Sequence, residues 1–525
     1  MEHISYDVMV IGCGAAGLRA AIAAAERDCT VGVISKASRG LGTSTVMSRG
    51  HFAGALEGST PGEHRLSTLR AGKGLNETHL VDALVEDAPG RLEEMVKWGM
   101  PSAMEKGQLY TIGPPPVWGK EIVRCLCRVA ETRGVRFNSG LTVAGMRILD
   151  GTVGVLAYAS ARNEWVGFSS CAVVLATGGA GALYMRHDNP QRMLGEGYAL
   201  ALYSGATLQD MEFFQFLPIA TAEPRRPQFA VPSTIARRGR LINDKGEEIL
   251  DKYAIKERPA DVLARDRLSQ ALMYEIRNGN SVFLDMRGIS EQGWKEDLLN
   301  SGEILLRRFQ ARQNLLRVAP TAHFCIGGVQ IDSQGRTSVP GLFAAGEVTG
   351  GLHGANRVAG NALTETLVFG ARAGTAASIW AAAGNPEEKG RRLLEEMFNS
   401  MPHVSATKGV VAPARLKRRL REIVWHNGGI LKNKEGLLQA IRTVEEIRGE
   451  LFSIGQAAPS DIQETLELRM GAETALIMLQ AALQRQESRG AHFREEFPTE
   501  IDQLWLGHLD VSLRKEKLEW CFRKT

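Results

Sequence analysis

The chain is short of several things, and each shortage excludes a class of protein. Its seven cysteines (Cys13, Cys29, Cys125, Cys127, Cys171, Cys325 and Cys521) are dispersed and odd in number. They make no disulfide framework and show no zinc or iron–sulfur spacing, so no metal site is expected. No apolar run approaches the roughly 18 residues that suggest a membrane-spanning helix. Neither charge dominates: 63 Lys and Arg stand against 59 Asp and Glu, too slight an excess to predict binding to nucleic acid or a lipid surface. The first residues lack the basic region and apolar core of a secretory leader, so a cytoplasmic location is expected, with peripheral docking through a membrane-bound partner left open. What the chain has in quantity is glycine, 57 in 525 residues, within an otherwise ordinary globular composition. Its length calls for two or three domains.

The glycines fall into motifs. "YDVMVIGCGAAGLRAAIAAAERDCTVGVIS" begins with an apolar β-branched run ending at Ile11, then places Gly12, Gly14 and Gly17 at G-x-G-x-x-G spacing. An alanine-rich helix pattern opening at Ala15 and Ala16 follows, then a second apolar run from Val31 to Ile34. That spacing serves a tight turn, a backbone that approaches a pyrophosphate, and close helix–strand packing. The helix N-terminus adds amide donors and a positive dipole end. A dinucleotide is predicted. Where an acid would hold the ribose of NAD, the second strand ends in Ser35-Lys36. "VVLATGGAGALY" (Val173 to Tyr184) resembles the strand-turn that closes over FAD in flavoproteins, and supplies Ala176, Thr177 and Gly178. "GLFAAGEVTGG", from Gly341, resembles a late strand that brings Glu347 to the ribityl chain. Three such elements favour FAD.

With these stretches in place the chain resembles the flavoprotein subunits of the fumarate reductase, succinate dehydrogenase and L-aspartate oxidase family. The similarity runs nearly end to end, in shared order. It passes through "VISKASRGLGTSTVMSRG", "AGKGLN", "HDNP", "GEGYALA", "DMEFFQF", "ARDRLSQAL", "HFCIGGVQID", "GLHGANRVAGNALTET" and "ESRGAHFREEFP". The resemblance implies an α/β fold: a Rossmann-like FAD domain in two pieces, 1–230 and 340–385, an inserted α+β capping domain at 231–339, and a C-terminal helical domain at 386–525. The charge-rich periodicity of the last region agrees with helices. Its basic run Arg415 to Arg421 reads as a solvated helix face, or as a docking patch for a partner.

The resemblance also assigns roles. Arg357 in "HGANR" and His323 would bind a substrate carboxylate, a task that suits the planar guanidinium fork. Arg265 would carry the proton, an unusual task for a group whose pKa lies above about 12. Ser44 and Thr45, Asp210, Glu347, Arg357, Ala362 and Leu363 would join the glycine motifs around the flavin. Departures narrow the expectation. The family reads "QFHPTG" where this chain reads "QFLPIAT", so Leu217 replaces a histidine expected on a second carboxylate. Losing one charged anchor costs about 1.5–3 kcal/mol. The family's Thr-Glu pair, which ends the proton relay, aligns with Ser233-Thr234. Members that tether FAD use a histidine at the position of Ser44, so non-covalent FAD is expected here.

The expected activity is therefore hydride transfer between flavin and the carbons beside a carboxylate. Fumarate, an unsaturated monocarboxylate or a longer acid with an apolar end are the candidate substrates, and an iron–sulfur subunit is the expected electron partner. Two alternatives stand: an L-aspartate-oxidase-like enzyme that needs no partner, and an electron-transfer subunit, including a sulfur-oxyanion reductase, whose flavin meets no carbon substrate.

Overall fold

The computed structural model describes residues 1–112, 118–224, 228–297, 302–382, 384, 386–400, 412–452 and 459–525. The strand Glu2–Ile11 lies parallel to Val31–Ser35 on one side and to Glu164–Leu175 on the other. Val8 to Ile11 and all of Val31–Ser35 are buried, as expected of parallel strands covered on both faces. The sheet runs Arg136–Ser139, Val31–Ser35, Glu2–Ile11, Glu164–Leu175, Thr152–Ala159, Leu141–Leu149, the last three antiparallel. Leu342–Ala344 comes back to the same sheet and pairs in parallel with Val173–Leu175. The helix that follows, Asn361–Ala381, crosses the first helix, Ala15–Ala25, at very short range. A Cβ on Gly374 would sit 2.1 Å from the Ala20 carbonyl oxygen, so only glycine fits that crossing.

A second, four-stranded antiparallel sheet runs Phe214–Thr221, Leu316–Cys325, Val282–Asp285, Arg240–Asn243. It has its own apolar cluster, in which Leu241, Leu268, Leu272, Leu284 and Trp294 are almost wholly buried. The first strand of this sheet precedes residue 231, so the sheet draws on both sides of the expected junction. The helix Arg265–Arg277 packs against its strands Phe214–Thr221 and Leu316–Cys325.

Beyond residue 386 the described residues form four helices up to Gln484: Glu387–Ser400, Pro413–Asn427, Lys434–Phe452 and Pro459–Gln484. The basic run is less solvated than its charge suggests. Arg419 pairs with Glu450 at 2.8 Å, Lys417 with Glu464 at 3.2 Å, and Arg421 donates to the carbonyls of Ala182 and Gln191. Arg415 and Arg418 are the exposed members of the run. The chain ends in a β hairpin, Gly507–Arg514 with Lys517–Lys524, whose first strand pairs with Leu208–Gln209. Among the described residues no helix is long and apolar enough to cross a membrane.

Candidate active site

The dinucleotide cradle forms where the parallel strands end. Gly12 adopts φ +116°, and a side chain there would strike the Ala176 carbonyl oxygen at 2.1 Å. At Gly17 a Cβ would lie 2.0 Å from the Gly12 carbonyl oxygen. The turn and the helix start are therefore pinned against the Ala176-Thr177-Gly178 turn, as the motif requires. Gly14 caps the helix Ala15–Ala25 without a side-chain hydrogen bond, so no side chain of the cap competes with phosphate for the helix end. The Ala15 amide donates to the Thr45 hydroxyl at 3.0 Å, and this ties the "GTST" segment to the cradle. Ser44 stands half-buried beside Met193, its hydroxyl 3.3 Å from the sulfur. Ser35 Oγ is turned onto the Ala37 carbonyl, and Lys36 is bound to Glu196 and to the carbonyl of Arg192.

The rest of the cradle fits a long flavin nucleotide. Thr177 Oγ1 is buried with no hydrogen-bond partner among the described residues. Glu347 lies over Gly179, where a Cβ would come 2.1 Å from its Oε1, and accepts the Cys325 amide at 3.0 Å. Burial first, then the neighbouring Glu365, pushes the Glu347 carboxyl up to about 8. Ala362 and Leu363 open a second helix, Asn361–Ala381, whose N-cap is Gly360. The small residues, the helix ends capped by glycine and the orphaned hydroxyl match a phosphate-bearing, hydroxyl-rich ligand. Asp210 belongs elsewhere: its carboxylate accepts from His508 at 2.6 Å, from the Leu509 amide at 3.0 Å and from Arg485 at 3.4 Å.

The structure gathers the three expected catalytic residues from three separate segments. Arg357 is 7% exposed, and its guanidinium lies 4.4 Å above the Phe324 ring. It donates to Gln215 Oε1 at 2.8 Å and to the Val358 carbonyl at 3.2 Å, while Nε has no partner among the described residues. Burial, and then the nearby Arg265, pull its pKa down to about 10, so it remains a cation at neutral pH. A buried cation with an unused N–H and no ion pair among the described residues is a site prepared for an anion. His323 is itself the extra residue of a β-bulge: pairing passes from Gln215↔Phe324 to Phe216↔Ala322, which leaves His323 without a strand partner. Bulges re-aim side chains in this way. Burial lowers the His323 pKa, while Asp188 opposes that shift; Arg357 and Arg265 add to the lowering, which places both cations within electrostatic reach.

Leu217 is half-buried on the same strand as Gln215, paired with Thr321, two residues from His323. Ser233 and Thr234 begin a short helix, Ser233–Ala236, and Thr234 Oγ1 is buried without a partner. Several residues that sequence reasoning passed over lie around Arg357 and His323. Asp188, in "HDNP", is 2.9 Å from His323 Nδ1. Gln215 and Asn356 link Arg357 to Asp266 through hydrogen bonds of 2.8, 2.7 and 2.6 Å. His51 stacks flat on Tyr110 at 4.8 Å, and Arg357 is close enough to depress its pKa further after burial has done so. The "HDNP" match was the available signal for Asp188, since it puts an acid in a shared motif without giving it a task.

A glycine-rich dinucleotide cradle, with a buried guanidinium and an imidazole within electrostatic reach of one another, marks an FAD-dependent oxidoreductase. Residues 7–363 match the family described as FAD binding domain, and residues 417–523 match the one described as Fumarate reductase flavoprotein C-term. The chain is 32% identical to a subunit of the fumarate reductase (CoM/CoB) of Methanothermobacter marburgensis, over 95% of both chains. It is 31% identical to an L-aspartate oxidase of Mesorhizobium japonicum, over 95% of this chain and 93% of that one. The E. coli quinol fumarate reductase FrdA structure superposes with a TM-score of 0.89 at 27% identity, over 100% of this chain and 97% of the other. The chain belongs to the fumarate reductase and succinate dehydrogenase flavoprotein family.

Proposed function

We propose that the protein interconverts a saturated and an α,β-unsaturated carboxylic acid, with Arg357 and His323 binding the carboxylate next to the reacting carbons. The observation that carries this reading is Arg357, a buried guanidinium held on Gln215 and Phe324 with its Nε unpaired. FAD supplies the hydride donor or acceptor, and Gly12, Gly14, Gly17, Thr45, Thr177, Gly178, Glu347, Ala362 and Leu363 would hold it. Arg357 draws charge out of the double bond through the carboxylate, an electrostatic effect that acts from a preorganised, poorly hydrated position. Phe324 and Gln215 keep its fork from rotating, so little order remains to be lost when substrate enters.

Leu217, standing where the resemblance expects a histidine for a second carboxylate, offers no charge and no hydrogen-bond donor. A monocarboxylate with an apolar end therefore fits better than a C4 dicarboxylate, and fumarate is the reference substrate against which it is measured. Electrons would come from an iron–sulfur subunit. To test the reading, photoreduced protein is mixed anaerobically with fumarate, crotonate and an aryl acrylate while flavin absorbance is followed. Reoxidation faster than in buffer is expected, with the aryl acrylate or crotonate ahead of fumarate; no acceleration by any acid would end it. The likeness to L-aspartate oxidase supports a second reading, which release of hydrogen peroxide on adding L-aspartate would establish.

A further inference from the structure

The strands His51–Ala53 and Gln108–Thr111 pair antiparallel, with His51 opposite Tyr110 and Ala53 opposite Gln108. Side chains alternate between the two faces of a strand. Phe52 and Leu109 are wholly buried in the main core, so His51, Ala53, Gln108 and Tyr110 share the other face. That face meets the segment that carries Arg357. A Cβ on Gly360 would sit 2.6 Å from the Ala53 amide nitrogen and 2.9 Å from the Ala53 Cβ. Thr111 pins the hairpin, its amide and its hydroxyl both donating to the Gly50 carbonyl, at 2.8 and 3.1 Å. The chain that leaves the cradle at Thr45 thus brings His51 to the neighbourhood of Arg357, within electrostatic reach of its charge.

His51 and Tyr110 spend their own donors on each other's neighbour. His51 Nε2 is 2.6 Å from Gln108 Oε1, and the Tyr110 hydroxyl donates to the same oxygen at 2.8 Å. An amide oxygen only accepts, so the imidazole proton sits on Nε2 and Nδ1 carries a lone pair. Burial lowers the His51 pKa, and Arg357 adds to the lowering against the pull of Gln108, which keeps the ring neutral at pH 7. The ring lies flat on Tyr110, with centroids 4.8 Å apart and planes 3° from parallel. Both residues are half-buried, so part of this ring surface stays open. Gln108 holds both rings in place before any ligand arrives, which lowers the ordering cost of binding. A carboxylate would meet a lone pair here and no cation. A flat, uncharged π system would meet a ready stacking partner.

We propose that the His51–Tyr110 platform seats the end of the acid remote from its carboxylate, and that the substrate is an acrylate bearing an uncharged aromatic ring on its β-carbon. This rests on the carboxylate-binding reading above and narrows it. Arg357 takes the carboxylate. A ring conjugated through the double bond stays coplanar with that carboxylate, so the two anchors together restrain the alkene between them. An aryl group stacked on His51 gains contact that the methyl group of crotonate cannot make. Fumarate would set its second charge against a neutral ring and, at Leu217, an alkyl side chain.

Oxidised holoprotein has no hydride to give, so the change in its flavin spectrum on adding an acid reads binding alone. Cinnamate, crotonate and fumarate are titrated into wild type, His51→Ala, Tyr110→Leu, Tyr110→Phe and His51→Lys at equal flavin content. Wild type is expected to bind cinnamate about tenfold or more tighter than crotonate. His51→Ala and Tyr110→Leu should each cut that preference about fivefold or more, whereas Tyr110→Phe, which keeps the ring, should retain most of it. His51→Lys puts a cation on the platform and should shift the preference from cinnamate toward fumarate by about tenfold. Anaerobic reoxidation of photoreduced protein should rank the three acids in the same order. The platform is overturned if cinnamate binds no tighter than crotonate, or if His51→Ala and Tyr110→Leu weaken all three acids alike. Binding of crotonate and fumarate without preference for cinnamate would remove the platform and leave the carboxylate reading standing. If no acid changes the spectrum or reoxidises the flavin, the carboxylate reading itself fails and takes the platform with it.

Discussion

Arg357 shows how little freedom a functional side chain has once its neighbours are fixed. Phe324 under the guanidinium, Gln215 on one nitrogen and the Val358 carbonyl on another fix its orientation. Replacing it with lysine keeps the charge and loses the fork. Arg357→Lys is expected to lower kcat/KM for the unsaturated acid by about a hundredfold or more, with flavin content unchanged; steady-state kinetics on flavin-normalised protein checks this. Ser44 carries a second prediction. Serine offers no nucleophilic ring nitrogen to the flavin, so acid precipitation should leave all yellow colour in the supernatant and none in the pellet. The glycines and Arg357 were legible as residues because their chemistry is local: a turn spacing and a planar cation. Asp188 was not, because an aspartate acquires its role from the imidazole it meets, and His323 lies 135 positions away.

At the level of elements, the helix crossing of Ala15–Ala25 with Asn361–Ala381 sets the cradle's depth. The two helices approach closely because Gly370 and Gly374 meet the backbone of Ala16 and Ala20. Gly374→Ala would overpack this contact at a cost of about 1–3 kcal/mol. In a chain of this size that lowers the melting temperature by a few degrees, about 2–6 °C, and differential scanning fluorimetry of holoprotein should also show reduced flavin retention. The first βαβ unit was readable from periodicity. The membership of the second sheet was not: Phe214–Thr221 and Leu316–Cys325 are both apolar runs, and nothing local to either says that they pair, or that a bulge between them releases His323.

Across the whole molecule, a buried charge network joins the C-terminal segment to the strand region. Arg485, wholly buried, contacts Asp210, Glu212 and Glu487, and His508 holds the other oxygen of Asp210. Lys432 lies at its edge, 3% exposed, its amine without a partner. Burial, and then Arg494, lower its pKa to about 7 against a weaker pull from Glu212. Below pH 7 the folded protein must hold this ammonium at full cost. The unfolded chain, which keeps its proton to about pH 10.4, is then favoured, and the cost fades as pH rises from 7 toward that value. Lys432→Met is therefore expected to raise the melting temperature by a few degrees, about 2–4 °C at pH 6, and by less at pH 9.5; no gain at pH 6 would count against the burial.

By itself the sequence determined the cofactor class, the first glycine turn and helix of the cradle, and the family, because spacing of glycines against strand and helix periods is a property of short stretches. It also determined the identity of Arg357, His323 and Leu217. The tertiary structure decided what these residues face: an aspartate on the histidine, and a glutamine and a phenyl ring on the arginine. Those are contacts between segments distant in the chain, set by how two sheets and their helices close on one another, and no local pattern encodes them.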